Sequence, residues 1–154
     1  MASSSADSLM KAKMETPHMT RRTFVTFRAA FPDEAQWTEK GSPLVPDGRS
    51  ISQVLADATM KAGLCPSDVS QHSFYGWSFE VAFSNRKVWC LLQGGDPWLL
   101  LVEDRRRGIG SFFGAASSEE LDAVLHAIGG VLRQDARFSS MRWFTKQEYE
   151  RLGQ

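Results

Sequence analysis

Three consecutive arginines, Arg105–Arg107, followed by Gly108 and Gly110, form the most chemically suggestive stretch of this 154-residue chain. Guanidinium groups beside a glycine-rich turn can hold phosphate, since arginine supplies charge and bare glycine backbone lets N–H groups approach an anion. The segment GIGSFFG nearly fits the dinucleotide fingerprint G-x-G-x-x-G, but its third glycine, Gly114, falls one residue late. A phosphate or small ligand held by Arg105, Arg106, Arg107, Gly108 and Gly110 is the alternative functional reading, and it would admit an enzyme. The plainer reading is a charged connection from a strand to a helix.

Other reactive residues do not assemble into a signature. The histidines are His18, His72 and His126, and no pair of them has metal-ligand spacing. The chain has two cysteines, Cys65 and Cys90, too few for a cysteine-only zinc site or a disulfide scaffold. A Cys90–His72 or Cys65–His72 couple can be drawn, but a thiol inside an apolar strand has a raised pKa and is inert. No G-x-S-x-G elbow occurs. Glu119 and Glu120 suit the start of a helix, whose dipole favours acids there. Glu103 and Asp104 beside the arginines make a surface ion-pair cluster. No catalytic residue, metal or cofactor is therefore assigned, which weighs against an enzyme.

Eighteen basic and eighteen acidic residues leave the formal charge at zero. That argues against a bulk electrostatic partner such as duplex DNA or an anionic membrane, and it does little to keep copies of the chain apart. The stretch FVTF, Phe24–Phe27, resembles the tail of an RNA-recognition-motif strand, but the preceding glycine-bearing segment and the βαββαβ order are missing. Nucleic acid is set aside. Two free thiols and the absence of a secretory h-region point to a reducing, cytoplasmic compartment. The apolar runs 88–92 and 98–102 are five residues each, far below the ~20 that a membrane-spanning helix needs.

Positioning falls to a series of short elements. Residues 1–22 are polar and aperiodic and read as a disordered tail, leaving residues 23–154 as one domain. The stretch TFVTFRAAF alternates as a half-buried strand, with Val25, Phe27, Ala29 and Phe31 on one side. Residues 32–49 read as a loop. Ser50 with Gln53 forms a capping-box pattern ahead of Ile51, Val54, Leu55 and Ala58, and Gly63 closes that helix. After a second loop, FYGWSFEVAF alternates clearly, and the turns SNRK and GGDP link it to 88–93 and 98–103 as an antiparallel meander.

Ser117 with Glu120 opens a second helix carrying Leu121, Val124, Leu125, Ile128 and Leu132. Gly129 and Gly130 weaken it by about 1 kcal/mol each, so a close packing contact is expected there. FSSMRWF reads as a last strand, and Thr145 with Glu148 opens a short final helix. The order β-α-β-β-β-α-β-α predicts an α+β domain, a mainly antiparallel sheet with helices on one face.

One feature of this plan is out of balance. In the second and third meander strands Val88, Cys90 and Leu92 oppose Trp89 and Leu91, while Trp98, Leu100 and Val102 oppose Leu99 and Leu101. Apolar residues on both sides imply strands covered on both sides, and two helices cover only one. The leading functional reading follows: a non-enzymatic protein-binding module of the immunity, adaptor or chaperone type, engaging a protein partner or a second copy of itself. Its contacts would be Trp89, Leu91, Leu99 and Leu101 with Arg105, Arg106 and Arg107, the aromatic-plus-arginine composition of interface hot spots.

Overall fold

Alternation of apolar Val25 and Phe27 with Phe24, Thr26 and Arg28 makes Phe24–Ala29 a strand, β1. In the computed structural model, which describes residues 21–106 and 119–154, this strand lies inside an antiparallel sheet. The meander follows as β6 (Gly76–Ala82), β7 (Arg86–Gln93) and β8 (Trp98–Arg106), and the last strand is β9 (Phe138–Phe144). Four shorter strands lie between β1 and β6: β2 (Gln36–Trp37), β3 (Pro43–Val45), β4 (Cys65–Pro66) and β5 (Ser70–His72). The main sheet runs β4–β6–β7–β8–β1–β9, with β5 also paired to β6, while β2 and β3 form a separate hairpin. Every pairing is antiparallel.

Among the described residues three helices complete the α+β domain: α1 (Arg49–Lys61), α2 (Glu119–Gln134) and α3 (Lys146–Leu152). Ile51 and Leu55 of α1, with Leu121, Val124, Ile128 and Leu132 of α2, pack on one face of the sheet. From that face come Val25, Phe27, Phe79, Val81, Val88, Cys90, Leu92, Leu100 and Val102. Each fully buried aliphatic or aromatic side chain here contributes roughly 1.5–3 kcal/mol of transfer free energy.

Gly76 shows how tightly the meander is drawn together, since a Cβ there would lie 1.8 Å from the Leu92 carbonyl oxygen. Any larger residue would force β6 away from β7.

Two local expectations are corrected. The capping box at Ser50 does not form. The helix begins at Arg49 behind Gly48, whose φ of +106° suits glycine and whose Cβ would sit 2.6 Å from the Trp98 ring. One free N–H of the first turn is instead served from a distance. Ser50 donates its backbone N–H (2.9 Å) and its hydroxyl to the Glu34 carboxylate, which thereby lies at the positive end of the helix.

The glycine pair of α2 is the second, corrected at Gly130 alone: Gly129 is buried with the expected close contact, whereas among the described residues nothing packs against Gly130. A Cβ on Gly130 would meet nothing within 4 Å, and one on Gly129 would meet the Arg133 guanidinium at 3.1 Å and Trp143 at 3.7 Å. The Thr145 cap does form, its hydroxyl oxygen accepting the Glu148 N–H at 3.1 Å. Ser117, and the tail expected over residues 1–22 apart from Arg21 and Arg22, lie outside the described residues.

Candidate functional site

The face of the sheet turned away from α1 and α2 carries Trp89, Leu91, Leu99, Leu101 and Arg105 of the residues singled out for binding, and strand register arranges them in rows. Phe24 pairs with both Phe144 and Leu101, Leu101 pairs with Leu91, and Leu91 pairs with Ser78. Together they form one row across the sheet, apolar except for Ser78 at its end. On one side of it runs Arg142, Thr26, Leu99, Gln93 and Gly76, polar except for Leu99. On the other side Trp89 sits between Glu80 and Glu103, followed by Lys87 between Ala82 and Arg105. The second face is thus one residue-row of hydrocarbon bordered by polar and charged rows.

Burial differs among the apolar residues of this face. Leu91 and Leu99 are 4% and 9% exposed, whereas Phe24, Leu101 and Trp89 are half-buried. At the β9 end the cover comes from α3. Its Tyr149 ring lies 5.4 Å from Phe24 and 6.0 Å from Phe144, centre to centre.

Trp89 is held by its neighbours. The Arg105 guanidinium carbon stands 4.0 Å above the Trp89 ring centre, and the His72 ring meets the same indole edge-on at 5.4 Å. A guanidinium over an aromatic face is attracted by the ring quadrupole, by about 0.5–1 kcal/mol at a partly solvated site. Arg105 also pairs with Glu103 at 3.6 Å, and Lys87 with Glu80 at 3.3 Å, so the carboxylates around the indole are neutralised. Arg106 pairs in register with Arg86 at the end of β8. The Arg106 side chain, Arg107, Gly108 and Gly110 lie outside the described residues.

The arrangement offers little for covalent chemistry. Cys90 faces the core, and burial raises its thiol far above the usual range, keeping it protonated. Cys65 pairs with Ala82 at one end of β6 while His72 pairs with Gly76 at the other, so neither thiol meets the histidine. Among the described residues, no three His, Cys, Asp or Glu side chains converge to hold a metal ion. Nor is any described helix long and apolar enough to cross a membrane.

Sequence reasoning missed four participants: Phe24, Phe144, Tyr149 and His72. The Phe24–Thr26–Arg28 alternation was a usable signal for the first of these. The other three depend on β9 lying beside β1 and β5 beside β6, which no local pattern announces. The fold and the row define an antiparallel sheet-and-helix domain with a narrow apolar band on its second face. The chain matches no protein-family model, curated protein or solved structure.

Proposed function

We propose that the protein is a non-enzymatic binding module, of the adaptor, immunity or chaperone kind, which engages a partner protein through the second face of its sheet. The observation that carries this reading is the fixed indole of Trp89, clamped between Arg105 and His72 beside half-buried Leu101. An aromatic ring already immobilised loses little entropy on binding, and Trp and Arg together dominate interface hot spots. Phe74 and Tyr75, 62% and 67% exposed, follow His72 in the chain. Leu91 and Leu99 are buried already, so direct contact falls to Trp89, Leu101 and Arg105. Two free thiols, one exposed and one buried, accord with a reducing, cytoplasmic setting. The phosphate reading gains nothing from Arg105, which is engaged by Trp89 and Glu103.

Affinity purification of the tagged chain from its own source cell tests the proposal, comparing the native protein with Trp89→Ala and Arg105→Glu. A partner should be retained by the native chain and lost from both variants, with folding checked by circular dichroism. A native chain that emerges alone, or a partner held equally by folded variants, would overturn it.

A further inference from the structure

The side of α2 that faces away from the sheet carries a pattern the second-face reading leaves unused. Leu121, Val124, Ile128 and Leu132 are buried against the core, so Glu119, Ala123, His126, Gly130 and Arg133 fall on the opposite side at helical spacing. Glu119, His126 and Arg133 are exposed there, and neither Glu119 nor Arg133 has an ion-pair partner among the described residues. The acids of α2, Glu119, Glu120 and Asp122, all lie in its first turn, and its last turn holds Arg133. In the middle, Gly130 weakens the helix, yet a side chain there would meet open space.

From this geometry we infer that α2 is the contact through which two copies of this chain associate, helix against antiparallel helix. The argument is charge complementarity. A two-fold axis near His126 sets Arg133 of each copy beside Glu119 of the other, giving two opposite-charge contacts from one motif. A parallel arrangement would bring acid against acid and arginine against arginine. The same axis brings Ala123 opposite Gly130 on the facing helix, where the missing side chain allows the helices closer than the usual 8–10 Å. The antiparallel dipoles also attract, and a chain of zero formal charge offers no bulk repulsion. Beside the helix, a shallow cleft of about 610 Å³ with Trp143 at its margin gives the flank of the second copy a place to rest. A contact built on one helix belongs with small interfaces, those burying below ~1,200 Å² in total, so the dimer is weak and in exchange with monomer.

Sedimentation velocity of the full chain over a wide concentration series provides the test. The native chain should pass from monomer to dimer as concentration rises. Arg133→Glu should weaken association at least tenfold, and adding Glu119→Arg to that variant should restore it. Gly130→Leu fills open space, so it should raise the melting temperature of the monomer while abolishing the dimer. That opposite response separates an interface from a structural role, and it decides the matter if a charge variant misfolds. A native chain that stays monomeric throughout overturns the inference, as does a dimer indifferent to both Arg133→Glu and Gly130→Leu. Trp89→Ala should leave the dimer unchanged, so failure of the second-face reading is seen separately.

Discussion

On the helix-facing side of the sheet, Phe79, Cys90 and Val102 lie abreast on three strands, each at most 2% exposed. One residue along, on the other side, Glu80, Trp89 and Glu103 lie abreast on the same strands, with a histidine and an arginine closing on the indole. Both rows contain large apolar groups, but only the first excludes polar ones. The first is built to be dry, its cross-strand neighbours packed in one core with residues of α1 and α2. The second keeps its aromatic ring fixed by charge and ring contacts made at the surface, which leaves the ring available to something else. Apolar content alone therefore does not say which side of a strand is core; the polar residues in the same row do.

The strongest way to probe this contrast is a pair of neighbouring leucines on opposite faces. Leu92→Ala, on the dry side, should destabilise the fold by about 4 kcal/mol, and Leu91→Ala, on the other, by about 2 kcal/mol, both read from urea unfolding. Equal losses would make the second face ordinary core and erase the distinction. Next in size, Glu34→Ala should cost about 1 kcal/mol, because the start of α1 then loses its carboxylate partner. Arg105→Gln comes below that, at under ~1 kcal/mol, with a change in Trp89 fluorescence as the more sensitive reading.

The smallest effect concerns an exposed pair away from both faces. The Arg137 side chain hydrogen-bonds the Asp135 carboxyl and holds its pKa at about 2, below the ordinary 3.8. The ionised carboxylate then favours the folded state above pH ~4, an advantage lost as pH falls from about 4 toward 2. Asp135→Asn should be slightly less stable than the native chain at neutral pH, and the gap should close in acid melts.

Much of this was legible in the residues themselves. The alternation of FYGWSFEVAF puts Tyr75, Trp77, Phe79, Val81 and Phe83 on one side, of which Trp77, Phe79 and Val81 are buried, Phe83 is half-buried and Tyr75, ahead of β6, is exposed. The turn residues marked the meander, and FSSMRWF coincides with β9. These patterns are local, and local periodicity reports them. Strands of two or three residues such as β2, β4 and β5 are too short to show a period, so their segments read as loops. The cap on α1 comes from Glu34, sixteen residues upstream, and no spacing rule reaches that far. The same holds at the site. The two-sided apolar pattern of β7 and β8 exposed the second face to sequence reasoning, but its actual boundaries were set by β1, β5, β9 and α3 arriving from elsewhere in the chain.

The position of β1 has a consequence for how the molecule is made. It sits between β8 and β9, with Val25 opposite Leu100 on one side and Trp143 on the other. Both neighbours are synthesised long after it, so β1 leaves the ribosome with two unpaired edges and keeps them until most of the domain has been translated. Contacts that close such long loops form late. Any fragment ending before Phe138 would keep one side of β1 open, a template for pairing with another nascent chain. For this fold the vulnerable moment is the interval before its last strand arrives.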